Sequence, residues 1–185
     1  SEVYNIVNRI SKAQYAFSRN TFVFADTTAP TDTERFAFKK GAVYSATSAW
    51  RNLTESTKIR TAAKNREFEC ICVRPFRNMT NYREFRLFIF EGKLALMSQY
   101  WQTRHYHRLD IKKDFYWAEA EELVDEISWL LPVQTIVLDI YFTSKDQIIL
   151  IDFNKWGKPT DPLLVQSWDM DWNNEHGIKI IPLSE

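Results

Sequence analysis

The sequence predicts an α+β fold in which a helix backs an antiparallel sheet, and three observations predict it. Four stretches, FECICVRPF, EFRLFIFEGKLALMSQYW, TIVLDIYF and QIILIDFN, are rich in β-branched, aromatic and aliphatic residues at strand length. Two turn signals, Glu91-Gly92 in FEGKL and TSKD at residues 143–146, join neighbouring runs into hairpins. Residues 117–131 set Trp117, Ala120, Val124, Ile127 and Leu131 on one helical stripe with acids opposite, and Pro132 ends the pattern.

The remaining elements follow in order. Residues 3–16 place Val3, Ile6, Val7, Ile10 and Ala13 at helical spacings, and TFVFA then reads as a short strand. DTTAPTDTE concentrates turn formers and capping residues, and RFAFKKGAVY reads as a strand or hairpin ending near Ser45. From Ser45 to Ala63 the pattern is that of one helix, capped by Ser45 or Thr47. The chain therefore divides into a small mixed lobe, residues 1–73, and a lobe carrying the larger sheet, residues 74–185.

Composition excludes several functions. Lys plus Arg and Asp plus Glu number 24 each, so no global field favours nucleic acid or an anionic membrane. The four glycines, Gly41, Gly92, Gly157 and Gly177, form neither a G-x-G-x-x-G fingerprint nor a Walker loop, so a nucleotide must be held by side chains and metal. No run approaches the roughly 20 apolar residues of a membrane helix, and SEVYNIVNRI lacks the halves of a signal peptide. Cys70 and Cys72 share one face of a strand, which suits reduced thiols in a core. A soluble, cytoplasmic protein is expected.

The strand LIDFN ends on Asp152 and Asn154, residues that sheets disfavour. With a loop of residues 143–146, Phe142 pairs with Gln147 and Asp139 with Leu150, which puts Asp139 on the face of Asp152 and Asn154. Asp139 and Asp152 are then diagonal neighbours, roughly 7–8 Å apart at the backbone. Two carboxylates and an amide oxygen suit magnesium shared with phosphates. A loop one residue longer or shorter reverses the face. The plainer alternatives are an Asx-turn at Asp152 and Asn154, and for Asp139 an exposed strand position or an arginine partner. Arg74 and Arg86 offer guanidinium forks that match phosphate oxygens, the alternative being a surface pair such as Arg86 with Glu84.

Taken together, EFRLFIFEGKLALMSQY, VLDIYF and LIDFNKWGKPTDPLL resemble, in that order, the cell division cycle 123 family of ATP-grasp proteins. The match runs over about residues 68–170, with VRPF at the family's Arg-containing strand end. Similar strands occur in small bacterial and phage ATP-grasp proteins. The resemblance implies two lobes that close over ATP and Mg2+. Asp139, Asp152 and Asn154 would take metal and phosphates, Arg86 would face the phosphates, and Arg74, Pro75 and Phe76 would line the adenine. Two positions depart from the pattern: Phe24 and Ala25 stand where the family carries a lysine, and Tyr100 stands where it carries an arginine after Ser98-Gln99. Lys39 or Lys40 can supply the missing charge from the next strand, unless the pair is a solvated edge.

Two functions follow from the resemblance. One is an ATP-binding protein that ligates a carboxylate to an amine or, chaperone-like, assists assembly of a protein complex. The other is a non-catalytic module that keeps the scaffold and docks a protein partner. Three further features have readings of their own. His105 and His107 can bind a transition metal if a third ligand exists, or else lie in an aromatic loop contacting substrate or solvent. Lys58, Arg60, Lys64 and Arg66 read as a solvated helix face. Trp101, Trp156, Trp168 and Trp172, the last two among the acids of SWDMDWNNEHG, either cap the sheet or present a partner surface.

Overall fold

The computed structural model describes residues 1–17 and 20–183. They divide into two units, Ser1–Asn78 and Met79–Glu185, each with its own core.

In the first unit, helix α1 (Glu2–Tyr15) is capped by the Ser1 hydroxyl, which accepts from the Tyr4 amide. It buries Ile10 and packs Ile6 and Val7 against Val23, Ala25, Ala49 and Leu53. Strand β1 (Thr21–Ala25) is the expected TFVFA. Where a strand or hairpin was expected, helix α2 (Glu34–Lys39) forms instead. Its Thr33 hydroxyl accepts from the Phe36 amide, and Glu34 supplies the first-turn acid. The cap decides the backbone, and Phe38 is left exposed. The helix stops where Lys40 and Gly41 both take positive φ, after which Val43 bridges to Thr21.

The single helix expected from Ser45 to Ala63 is two: α3 (Ala46–Glu55), with a Ser45–Ser48 capping box, and α4 (Thr57–Lys64). Ser56 breaks the run in an extended conformation, and its hydroxyl both accepts from the Ile59 amide and donates to Asp32 at 2.5 Å. Asp32 also accepts from the Lys58 amide, so the turn segment before α2 caps α4 from outside. Lys58, Arg60, Lys64 and Arg66 are exposed, the solvated face expected. Strand β2 (Ile71–Pro75) pairs antiparallel with β1. Its Ile71 and Val73 pack on the core, so Cys70 and Cys72 face the other way; both thiols are free, but Cys70 is exposed rather than in the core.

The second unit contains β3 (Glu84–Phe90), β4 (Lys93–Gln99), α5 (His107–Ile127), β5 (Ile136–Phe142), β6 (Ile148–Asn154) and the short β7 (Ile178–Lys179). The sheet order is β6-β5-β3-β4-β7, antiparallel except for β4 with β7. Glu91 and Gly92 both have positive φ, as a two-residue hairpin turn requires. Helix α5 begins ten residues before the expected Trp117, because Leu109 and Tyr116 extend the buried stripe of Ala120 and Val124 through a polar stretch. It also ends earlier, giving way to a 3-10 turn at Ser128–Leu130 before Pro132.

Phe85, Leu87, Leu138, Ile140 and Phe142 face α5, and the Phe142 and Tyr116 rings lie 4.5 Å apart. The opposite face, at Phe88 and Val137, is covered by Trp156, Trp168 and Trp172. Trp168 and Trp172 lie 5.6 and 5.5 Å from the Phe88 ring, so these tryptophans cap the sheet.

The β5–β6 register differs from expectation in two compensating ways. The loop is one residue longer, pairing Phe142 with Ile148 and Ile140 with Leu150, which alone turns Asp139 away from Asp152. A register shift then leaves Ile151 as an extra residue, and Asp139 pairs directly with Asp152.

Gly41 and Gly157 separate conformational strain from crowding. A Cβ on Gly41, at φ +80, stands 2.5 Å from the Phe22 ring, whereas one on Gly157, at φ +82, meets nothing within 4 Å. Gly157→Ala should cost about 1 kcal/mol and Gly41→Ala about 2–4 kcal/mol, since displaced packing adds to the left-handed backbone. Urea unfolding of both variants measures this, and equal costs would refute the packing account.

Candidate functional site

Cross-strand partners share a face, so the pairings define a row across the sheet. Lys179 of β7 is opposite Ser98 of β4, Ser98 opposite Arg86 of β3, Arg86 opposite Asp139 of β5, and Asp139 opposite Asp152 of β6. The row lies on the face away from α5, next to the tryptophan-covered end.

Its centre is a buried ion pair. Arg86 is 5% exposed and Asp139 is 3% exposed. The Arg86 Nε donates to Asp139 Oδ1 and Nη2 to Oδ2, both at 2.8 Å, in a bidentate fork. Nη1 donates to the Asp161 carbonyl at 2.6 Å, and the guanidinium lies 5.2 Å from the Tyr100 ring centre. Burial alone pulls the Arg86 guanidinium down, but the hydrogen bonds and charge of Asp139 outweigh it and hold it above its ordinary value. Burial pushes the Tyr100 phenol up to about 12, with help from the Asp139 charge and against the Arg86 charge.

Around this pair the strand end is set. Asn154 Nδ2 donates to Asp139 Oδ2 at 3.0 Å, leaving its Oδ1 as an outward acceptor. Asp152 is exposed, and its Oδ1 accepts from the Phe153 amide at 2.9 Å. The turn after β6 is tied back: Thr160 donates to the Lys155 carbonyl, Trp168 Nε1 to the Thr160 carbonyl, and the Leu164 amide to the Ser98 hydroxyl. Asp139, Asp152 and Asn154 thus form a cluster of oxygen-bearing side chains, the donor class that Mg2+ takes.

The second unit brings Arg86, Asp139, Asp152 and Asn154 together. The other expected site residues belong to the first unit. Lys39 ends α2 with its Nζ 5.7 Å from the Tyr44 ring centre. Arg74 lies 5.1 Å from the rings of both Phe22 and Phe24. Pro75 ends β2, and the Phe76 amide donates to the Asn20 carbonyl at 2.8 Å. The arginine partner for Asp139 is Arg86, not the surface pairing with Glu84, whose carboxylate accepts from Trp101 Nε1 at 2.6 Å. Sequence reasoning missed Asp161, Ser98 and Lys179 as neighbours of the row. Asp161 acts through its backbone carbonyl, which no side-chain pattern reveals, and β7 is two residues long.

Removing one partner of the central pair leaves a charge stranded in a dry place. Arg86→Met and Asp139→Leu should each cost about 3–5 kcal/mol, and the double variant should recover most of that loss. A double-mutant cycle by chemical denaturation measures it; simple additivity would contradict the pairing. Tyr100 gives a pH test. Its proton is held more tightly folded than unfolded, so its stabilisation is complete below pH about 10 and declines as pH rises toward about 12. Tyr100→Phe should show a smaller decline across that window when denaturation midpoints are compared, and an unchanged decline would count against the burial argument.

The chain has relatives among known proteins. The D123 family model matches residues 43–178. The translation initiation factor eIF2 assembly protein of Xenopus tropicalis is 35% identical over 94 residues, covering 49% of this chain and 28% of the relative. Cell division cycle protein 123 of Candida glabrata is 34% identical over 101 residues, covering 54% of this chain and 27% of the relative. The chain thus matches little more than a quarter of these relatives' length. The structure of Cdc123 from Schizosaccharomyces pombe superposes with a TM-score of 0.80 at 21% identity, covering 96% of this chain and 78% of that one. The α+β architecture is therefore shared with Cdc123, and the resemblance carried by EFRLFIF, VLDIYF and IDFN–TDPLL is borne out: this chain belongs to the D123 family.

Proposed function

We propose that this protein binds Mg-ATP and uses it in the assembly of a protein complex. The observation that carries the reading is the orientation of Asn154: its Nδ2 is committed to Asp139, which leaves Oδ1 as an acceptor on the face it shares with exposed Asp152. Asp152 and Asn154, with Asp139 behind them, would hold Mg2+, and the ion when bound neutralises phosphate charge. Arg86 would act chiefly by holding Asp139, since its fork is committed to that carboxylate and to the Asp161 carbonyl. Arg74, Pro75 and Phe76 would line the adenine and Lys39 would lend charge to the phosphates, as the ATP-grasp resemblance implies.

Relatives named as eIF2 assembly proteins point to a protein partner of that kind for this chain, and a cytoplasmic setting accords with it. Among the described residues no helix is long and apolar enough to cross a membrane. Ligation of a carboxylate to an amine is the alternative use of the same nucleotide. A non-catalytic, partner-docking role also has an observation behind it: Phe24, where the family carries a lysine, stacks on Phe22 at 5.6 Å beneath Arg74.

Calorimetric titration of ATP with and without Mg2+ tests the reading. Binding should require Mg2+ and weaken at least tenfold in Asp152→Ala, an exposed substitution that leaves the Arg86–Asp139 pair intact. A folded parent that binds no ATP under either condition would overturn it and leave the docking module.

A further inference from the structure

Where β4 leaves the sheet and α5 begins, the segment TRHYHRLD, residues 103–110, gathers two imidazoles and a carboxylate. The loop is pinned from below by Gln99, which is fully buried. Gln99 Nε2 donates to the carbonyls of Trp101 and Arg104 at 2.6 and 3.1 Å, and its Oε1 accepts from the Ile181 amide at 3.2 Å. The Ile181 carbonyl in turn lies 2.8 Å from His105 Nδ1. A carbonyl only accepts, so Nδ1 carries a proton, and the tautomer this selects presents Nε2 with a lone pair. This is the arrangement that metal-ligating histidines show, one nitrogen fixed by a backbone carbonyl and the other presented.

That second nitrogen has an unusual setting. His105 Nε2 is buried and finds no hydrogen-bond partner of acceptable geometry among the described residues, yet it lies 2.9 Å from Asp110 Oδ2. A lone-pair nitrogen and a carboxylate oxygen repel at that distance unless a cation joins them. Asp110 sits in the first turn of α5, three residues after His107, so both project from the same end of the helix. The ligand atoms of His105, His107 and Asp110 all lie within 4.8 Å of one another. Nearby arginines are turned elsewhere, Arg104 over the Tyr106 ring at 5.0 Å and Arg108 over Tyr82 at 5.8 Å.

We propose that His105, His107 and Asp110 form a binding site for a divalent transition-metal ion of the zinc type. Two imidazoles and a carboxylate are its ligand set, with a fourth position open to water or another ligand, whereas Mg2+ and Ca2+ prefer oxygen alone. A second proton on His105 would also relieve the repulsion, as an ion pair with Asp110, but it gives His107 no part. The site is independent of the Mg-ATP cluster, sharing none of its residues. The bound ion would fasten the start of α5 to the His105 loop and, through Ile181, to the chain after β7.

The test is titration of the untagged, chelator-treated chain with Co2+ alone, followed by visible absorption and then by competition with Zn2+. One equivalent should give d–d bands of a nitrogen–oxygen site, displaced by Zn2+. His107→Ala and Asp110→Asn, both at exposed positions, should each weaken binding at least tenfold while circular dichroism stays unchanged. A folded parent without cobalt bands would overturn the proposal in favour of the His105–Asp110 ion pair, as would bands that both variants retain at full affinity.

Discussion

A guanidinium and a carboxylate removed from water in the middle of a sheet are the constraint on which the second unit depends. Each ion loses several kcal/mol of hydration, and only excellent geometry offsets that loss. Arg86 and Asp139 achieve it on adjacent central strands with two bonds at 2.8 Å. The pair therefore fixes more than its own position. A slip of β5 by one residue would carry Asp139 into the apolar layer against α5 and turn Leu138 and Ile140 out of it. The charges thus specify the β3–β5 register, and the neighbouring strands build on it. The third direction of the Arg86 fork reaches the Asp161 carbonyl, which anchors the turn after β6, and the ring of Tyr100 closes the remaining side.

Much of this sheet was legible in the sequence, because strand-length apolar runs, a Glu91-Gly92 turn and the IDFN ending are local signals. The grouping of Asp139 with Asp152 and Asn154 was legible too, although by a path the molecule does not take. The loop before β6 is longer than its TSKD turn suggests, and Ile151 restores the shared face. Alternation fixes a face only as long as no residue is inserted, and nothing in QIILIDFN announces a bulge. The bulge falls on an edge strand, where an added residue disturbs one neighbour instead of two. The sequence marks Arg86 as a site residue and allows an arginine partner for Asp139, but nothing in it joins the two. A pairing of β3 with β5, across a separation of some fifty residues, is invisible to local pattern.

The first unit was harder to read for a different reason: short elements are decided by caps. Residues 34–39 hold their apolar residues, Phe36, Ala37 and Phe38, in a run too short to show a period, yet Thr33 and Glu34 nucleate a helix, and Gly41 stops it against the Phe22 ring. Ser56 ends one helix and starts another with its hydroxyl held by Asp32, 24 residues earlier, which accepts its hydrogen bond. Such distant caps involve ordinary serine and aspartate residues whose role becomes visible once the chain has folded.

The same ion pair shapes how the proposed nucleotide site would work. Asp139 and Arg86 cancel each other's charge, so beyond that pair the cluster draws its negative charge from Asp152. A single carboxylate and an amide oxygen hold hydrated Mg2+ weakly, because this ion dehydrates reluctantly and keeps several waters. A triphosphate that brings its own charge makes up the deficit, so metal and nucleotide would be taken up together instead of in sequence. Arg86 would then act on the ligand indirectly. It sets the orientation of Asp139, Asp139 sets that of Asn154, and Asn154 presents the oxygen. A nucleotide site built this way would owe the placement of its donor oxygen to one buried salt bridge, and that role would account for a strand that ends on two residues sheets ordinarily avoid.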